Sequence, residues 1–556
     1  MRGQRGAWFV GAAIVALCAS SARAARAADF EVTGDTAFQA YEVSDPWGDV
    51  VLQRRRFLQT LGLAAYNLQG GEASPGKPDY RVVMRFRLDA DFGINEALPS
   101  SQSGGETNYA TSAGQGVRFV PGLREAPIDL MYGYVEGRNI ANGLFGFRVG
   151  RQYVTDVLGW WSFDGGLMRL TTPWFVQVEV YGGFEQRGGL PLSTSRFEQN
   201  GVWRGNHEGF GGDNQPAYSD YPSYQYAEPA PAFGFAVESN GPSWLHGRFS
   251  YRRVYNTGES ITQQFPDPAA DQSATGGYKT ISGTRVSSDR LGYAFDANKN
   301  DLGGAKGGIV YDFYSQVFSR AYAGLEGYIG KRVTLGADID YFYPTFDADS
   351  IWNWFTHSPV DTITGRVAVK ITRRFDVTAS GGARIWLSDG DPSAFGDGQC
   401  KALGLGTGCY ANTAVDSSNP GLAVVGAYTR DDANRATTSS VDGLANVAAR
   451  YRFASADVGL RGMLEDGDRG HRVGGDLDAE KKLDGGRFTL GGRTSLYDWD
   501  DTLRPDRSAT SFAYVLAAAF KPASVANFRV EWEHDMNRLV GQRYRVVGLM
   551  NLRVLQ

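Results

Sequence analysis

The segment from Tyr80 to Phe92 alternates between apolar and mostly charged positions over its whole length. Every even position is apolar or aromatic. The charged residues all stand at odd positions: Arg81, Arg85, Arg87, Asp89 and Asp91. Because successive side chains of a strand point to opposite faces, the segment is predicted to be a β-strand with one apolar and one charged face.

The same alternation recurs almost to the last residue of the 556-residue chain. It predicts about 18–20 strands, with boundaries uncertain by roughly 2–4 residues. These strands lie near 30–43, 52–68, 80–93, 126–137, 144–153, 165–172, 174–185, 232–239, 246–256, 310–329, 333–344, 361–371, 375–387, 440–451, 455–465, 472–483, 487–499, 509–520, 526–535 and 543–555.

Short turns alternate with long polar connections along the chain. The long stretches include 94–125, 185–230, 257–306 and 388–438. Bacterial outer-membrane barrels have short periplasmic turns and long extracellular loops. The pattern therefore predicts an all-β fold, a transmembrane antiparallel up-and-down β-barrel with long extracellular loops. A soluble β-sandwich or propeller shows the same alternation, but with its apolar face turned inward.

The N-terminus distinguishes these two folds. Residues 1–27 contain a basic start, an apolar core and two small-x-small cleavage candidates, so a secretory signal peptide is expected. The barrel domain would then be 28–556, and loss of the four N-terminal arginines changes the formal net charge from -5 to -9. Such an acidic protein is a poor candidate for nucleic-acid binding. A mean hydropathy of -0.33 is compatible with a barrel, because lumen and loop residues dilute the lipid-facing half.

Cys400 and Cys409 are the cysteines that remain after cleavage. In an exported protein, such a closely spaced pair favours a local disulfide. A metal or redox pair is the alternative, but no histidine lies nearby in the sequence.

The charged strand positions are expected to line the pore. Beside the five named above, the candidates are Arg148, Arg151, Asp164, Arg169, Asp338, Asp340, Arg366, Arg384, Arg461, Arg493, Arg529 and Glu531. They are either solvated wall charges that pair across strands or the lining of a constriction that orients polar solutes. Acids at least balance arginines on these faces, which favours a mixed, weakly selective wall.

The segment 148–170 contains Gly150-Arg151-Gln152 at the end of one strand and Phe163-Asp164-Gly165 at the start of the next. It resembles the GRQ…FDG hairpin of the alginate-export family of outer-membrane porins. The resemblance implies an eighteen-stranded barrel that passes anionic polyuronate through an arginine-lined pore. It would carry over Arg151 and Asp164 as pore residues.

Other functional classes have less support. Outer-membrane phospholipases and proteases need a histidine paired with Ser, Asp or Asn at one rim, and of the five histidines only His534 lies clearly in a strand, facing outward. A TonB-dependent transporter would need a 22-stranded barrel and a plug domain. Asp213-Asn214 could bind Ca²⁺, but no spaced calcium-loop motif is present.

The sequence thus predicts a passive outer-membrane channel for small hydrophilic, anionic or saccharide-like solutes, narrowed by loop 185–230 or 257–306. It needs no cofactor or metal and is not an enzyme. Its expected partners are outer-membrane lipid and small solutes. The sequence does not decide between a monomer and a homo-oligomer. The alternatives are an outer-membrane enzyme or a non-conducting receptor barrel.

Overall fold

A computed structural model describes residues 28–70, 76–91, 128–186, 230–257, 260–262, 279–281, 283–299, 301–345, 359–387, 439–501, 508–538 and 541–555. The signal-peptide segment and both cysteines lie outside these residues. The strands are β1 (Asp29–Ser44), β2 (Val50–Tyr66), β3 (Asp79–Asp91), β4 (Ile128–Asn139), β5 (Phe145–Asp156), β6 (Gly159–Thr171), β7 (Val176–Glu185), β8 (Pro231–Ser239), β9 (Leu245–Asn256), β10 (Ser260–Thr262), β11 (Lys279–Ile281), β12 (Arg285–Lys299), β13 (Gly303–Asp312), β14 (Val317–Ile329), β15 (Val333–Phe342), β16 (Val360–Lys370), β17 (Phe375–Trp386), β18 (Ser440–Arg452), β19 (Ala456–Gly467), β20 (Gly470–Leu483), β21 (Phe488–Asp501), β22 (Ser508–Ala523), β23 (Ala526–Asn537) and β24 (Gly541–Leu555).

These strands form a closed antiparallel barrel. Each strand pairs with its neighbours in the chain, β9 pairs with β12 across the small β10–β11 hairpin, and β24 pairs with β1 to close the sheet. Single turns, Ile140–Gly143 and Asp484–Gly486, join β4 to β5 and β20 to β21. The predicted fold class is confirmed.

The barrel contains 22 strands, more than the 18–20 predicted and more than the eighteen that the family resemblance implies. Strand β12 lies inside 257–306, which was wrongly predicted to be a loop. The predicted strand 310–329 is in fact two strands, the end of β13 and all of β14, joined by the turn 313–316. Strand β12 and the division of 310–329 add two strands to the twenty ranges predicted from the sequence, which gives 22.

The connections are segregated between the two ends of the barrel. The end at which β1 begins has short connections, such as 330–332, 371–374 and 453–455. At the opposite end, longer stretches of sequence separate successive strands, as between Asp91 of β3 and Ile128 of β4 and between Trp386 of β17 and Ser440 of β18. We call these the short-turn end and the long-loop end. The asymmetry is that of bacterial outer-membrane barrels.

The two faces of the wall differ in chemistry. Large apolar side chains lie exposed on the outer face, among them Leu325, Leu460 and Leu516. Aromatic residues cluster near both ends of this face, for example Tyr311 with Phe318 and Tyr451 with Phe453. His534 faces outward, as predicted, and its ring stacks on Tyr544 with 4.3 Å between centroids. An apolar band with aromatic girdles is the surface that a barrel presents to lipid.

Two further observations bear on the class of membrane protein. Since TonB-dependent transporters also have 22 strands, the strand number does not exclude them. Within the described part of the chain, every strand except β10 and β11 belongs to the wall. Across the same residues, no helix has the length and apolar character needed to cross a membrane.

Candidate functional site: the lumen and an in-folded hairpin

The inner face of the wall carries a network of ion pairs, most of them between adjacent strands or across one intervening strand. The predicted residues bond as follows on this face: Arg81 and Arg148 with Glu136, Arg85 with Asp35, Arg87 with Asp129, Asp89 with Arg56, Arg169 with Glu179, Asp338 with Lys306 and Arg366, Asp340 with Arg320, Arg366 with Glu326, Arg384 with Glu465, Arg493 with Asp476, and Arg529 with Glu531. Arg461 donates to Asn446, and Asp91 is the last residue of β3.

Several carboxylates are shared between two or three arginines. Glu179 lies 2.7 Å from a nitrogen of Arg169 and 2.8 Å from one of Arg248. Glu136 bonds to Arg81 and lies 3.1 Å from a nitrogen of Arg138 and 3.2 Å from one of Arg148. This pairing neutralises much of the charge of the inner face, while it leaves that face rich in hydrogen-bond donors and acceptors.

One ion pair, between Arg253 of β9 and Asp289 of β12, lies on the other face of the wall. The register places these residues directly opposite each other and on the face of Tyr251 and Tyr293, away from the inward Arg252. The pair thus lies on the outer face, in the half of β9 nearer the long-loop end.

The distal half of the β5–β6 hairpin folds into the lumen. Leu167 is the residue of β6 that pairs with Tyr181, and Trp161 lies further along the same strand. In a flat strand, Trp161 would be about 20 Å from that position. The ring centroids of Trp161 and Tyr181 are nevertheless only 5.6 Å apart. Strand β6 therefore bends back and lies against the inner face.

The tip of the hairpin reaches across β7, β8 and β9 to β12. Arg252 of β9 donates from Nη2 to the carbonyl oxygen of Leu158, 3.1 Å away. The Arg252 guanidinium also lies 5.2 Å from the centroid of the Trp161 ring. On β12, a Cβ at Gly292 would approach side-chain atoms of Val157 to 2.6 Å and of Leu158 to 2.8 Å, so the tip packs directly on this part of β12.

Apolar side chains hold the folded hairpin against the wall. Phe163 is fully buried, with 0% of its surface exposed, and stacks on Trp161 with 4.5 Å between centroids. They form one buried cluster with Val154, Leu167, Tyr181, Ala230, Ala232 and Val254. In a polar lumen, this cluster supplies the hydrophobic driving force for folding the hairpin inward.

A row of glycines forms the bend. Gly150 of β5 pairs with Gly165 of β6, which pairs with Gly183 of β7. A Cβ at Gly165 would lie 2.1 Å from the carbonyl oxygen of Gly182, and one at Gly183 would lie 2.1 Å from that of Asp164. We call this row the glycine crease. Its backbones approach too closely for any residue that has a Cβ.

Beyond the crease, both faces of the hairpin have surroundings different from those of an unbent wall strand. The face of Val154, Trp161 and Phe163 packs on the wall, so the opposite face is turned to the lumen. On that opposite face, Tyr153 lies 5.7 Å from the ring of Tyr132, an inner-face residue of β4.

Arg151 and Asp164 lie immediately beyond the crease, on the face turned away from the wall cluster. They form a bidentate ion pair, with Nε–Oδ1 at 2.7 Å and Nη2–Oδ2 at 2.6 Å. The predicted strands 144–153 and 165–172 left 154–164 as the connection between them, which is wrong. Strand β5 continues to Asp156, β6 begins at Gly159, and a two-residue turn joins them.

The segment predicted to narrow the pore also differs. Most of 185–230 lies outside the described residues, and 257–306 contains β12. The in-folded β5–β6 hairpin is the narrowing element that the structure describes. Sequence analysis missed its anchors, above all Trp161, Phe163 and Arg252. Glycines at facing positions of three successive strands were the signal that could have indicated a bend.

The buried phenylalanine of the hairpin provides a test of this anchoring. Truncation of a buried Phe to Ala costs about 3–5 kcal/mol in protein cores. We expect Phe163→Ala to release the hairpin and to increase the noise of the open-channel current in planar bilayers. Phe318→Ala, a matched change at a residue of β14 that is 51% exposed on the outer face, should leave the noise unchanged. Equal noise in both variants would contradict the anchoring.

Comparisons with known proteins add a likeness of fold. No family model matches the chain, and no curated protein matches it. The chain is similar to the crystal structure of Pseudomonas aeruginosa OccK2 (OpdF), with 8% identity, a TM-score of 0.38, and 95% of this chain and 98% of that chain covered. It is similar to P. aeruginosa OpdK solved with vanillate, with 9% identity, a TM-score of 0.37, and 95% and 99% covered. A BenF-like porin from Pseudomonas fluorescens Pf-5 has 11% identity, a TM-score of 0.39, and 95% and 99% covered. At these values, the likeness assigns neither a family nor a solute.

In the described part of the chain, no group of three or more His, Cys, Asp or Glu residues is arranged to hold a metal ion.

Proposed function

We propose that the protein is a passive channel of the bacterial outer membrane for small hydrophilic solutes. The observation that carries this proposal is the in-folded hairpin inside a closed barrel whose inner face is polar and whose outer face is apolar. A barrel of 22 strands encloses a wide lumen, and a segment folded against its inner face narrows that lumen. Passage of solutes through such a lumen requires no catalytic step. Export through the signal peptide at 1–27 belongs to the same proposal.

The local pairing of charges bears on the solute. Arg151 is matched by Asp164, and Arg85 by Asp35. A strongly anion-selective pore needs cations that are left unmatched. The inner face therefore favours weak ion selectivity over the dedicated polyuronate conduit that the alginate-export resemblance implies.

Planar-bilayer recording of the purified, folded protein tests the channel. We expect stepwise conductance that is linear with voltage, and a reversal potential close to zero in a KCl gradient. A correctly folded barrel that gives no conductance steps would refute the channel and favour a receptor barrel. Substrate turnover that is lost on changing one histidine would instead indicate an enzyme.

The Arg151–Asp164 pair allows a sharper test of the lumen. Asp164→Asn leaves the Arg151 charge unmatched beside the pore, so the permeability ratio of chloride to potassium should rise by about twofold or more. The matched control is Asp289→Asn, which frees Arg253 on the outer face and should leave the ratio unchanged. A similar shift in both variants would place the Arg151–Asp164 pair outside the conducting path.

A further inference from the structure

Two adjacent tryptophans at the hairpin tip have opposite environments. Trp161 is 5% exposed and packs on the wall, whereas Trp160 is 67% exposed. Trp160 lies on the lumen side of the hairpin, beside Tyr153, and so away from lipid. Trp161 anchors the hairpin to the wall, but this anchoring does not explain why Trp160 has a large exposed surface. A large exposed aromatic surface in a polar cavity is a feature of ligand-binding sites.

Trp160 is the end of a continuous series of rings. Tyr134 lies 6.2 Å from Tyr132, Tyr132 lies 5.7 Å from Tyr153, and Tyr153 lies 6.4 Å from Trp160, measured between ring centroids. We call these four residues the aromatic track. It runs from the inner face of β4 onto the lumen side of the hairpin, across the narrowed part of the barrel.

Paired charges line the aromatic track. Arg151 and Asp164 form their bidentate pair next to Tyr153 in β5. Arg85, which stands opposite Tyr132 in register, bonds to Asp35. At the other end, the Arg148 guanidinium lies 4.7 Å from the Tyr134 ring centroid and shares Glu136 with Arg81. Beside the middle and the hairpin end of the track, donors and acceptors are thus present together with little net charge.

This combination matches the chemistry of a neutral sugar ring. The C–H face of a pyranose is apolar and packs on aromatic rings, while each hydroxyl at its edge both donates and accepts hydrogen bonds. We propose that the aromatic track binds neutral oligosaccharides and guides them along the lumen. The inference rests on the proposed function, because a guiding track requires an open lumen.

Binding to the folded protein in detergent tests the track directly. Maltohexaose and cellohexaose serve as neutral probes and hexagalacturonate as the anionic one, with titration by calorimetry. We expect a neutral probe to bind, and Tyr132→Ala and Trp160→Ala each to weaken its binding by about tenfold, the equivalent of 1.4 kcal/mol. Tyr132→Phe keeps the ring and should retain the affinity. Trp174→Ala, at the exposed short-turn end, is the matched tryptophan control.

Three results would overturn the track: neither neutral probe binds, Trp160→Ala and Trp174→Ala behave alike, or hexagalacturonate binds more tightly than both neutral sugars. Current blockade in bilayers separates this inference from the channel itself. A protein that conducts ions but binds no neutral hexasaccharide retains the proposed function and refutes the track. A protein that binds one through Trp160 without conducting supports the track and refutes the channel.

Discussion

Replacement of residues 153–161 by two glycines is expected to raise the single-channel conductance by about twofold or more. These residues form the part of the β5–β6 hairpin that lies across the inner faces of β7, β8, β9 and β12. Their removal leaves Gln152 and Ser162 joined by a short turn at the crease. The lumen then widens along the side that the hairpin covers, and solutes too large for the intact protein should enter. Conductance steps and the size limit in liposome swelling measure both effects.

The control for this deletion is a change of similar kind at the same end of the barrel. The turn 313–316 joins β13 and β14 at the long-loop end. Its replacement by two glycines should leave the conductance unchanged. An unchanged conductance after the hairpin deletion would mean that another segment sets the narrowest point.

Gly165→Ala is expected to prevent the hairpin from folding inward and to lower the yield of folded barrel. Its Cβ would lie 2.1 Å from the carbonyl oxygen of Gly182 and 2.8 Å from the Cα of Gly183, which are backbone atoms of a paired strand. Backbone in a barrel wall cannot move away without breaking ladder hydrogen bonds. Heat-modifiable migration on a gel measures the folded fraction, and current noise in the folded remainder reports the hairpin.

The adjacent glycine provides the control, since a Cβ at Gly166 meets no atom within 4 Å. Gly166→Ala should fold and conduct like the unchanged protein. If the two variants gave the same folded fraction and the same noise, the close approach at the crease would be unimportant.

The sequence predicted the wall well where alternation is uninterrupted. In β3, the apolar and charged positions follow one another without a break, and the strand lies where the pattern places it. Strand β12 was missed because its polarity does not alternate cleanly: Gly292 and Ala294 occupy inner-face positions, and Asp289 stands on the outer face. The turn 313–316 was missed because Phe313 and Tyr314 are aromatic, as suits a turn in the girdle of the outer face.

The in-folded hairpin shows a second limit of pattern reading. Alternation separates the two faces of a strand but does not identify the surroundings of each face. At the glycine crease, the strand turns over, so Trp160 faces the lumen instead of lipid, and Trp161 is buried against the wall instead of facing the lumen. The charged residues of the inner face were identifiable from their positions. Their partners depend on which strands are neighbours, and so on the correct strand number.

The hairpin also has a mechanical consequence for the wall. Its base belongs to β5 and β6, while its tip is bonded to β9 and seated on β12. It therefore connects β5 and β6 directly to β9 and β12, which are otherwise connected only through the intervening strands. We call this connection the strut. A wide barrel deforms most easily by flattening, and the strut opposes flattening on the side of β5 to β12. We therefore expect the described strands from β13 to β24 to be the more compliant half, and amide hydrogen exchange to be slower in β7 to β9 than in β18 to β20.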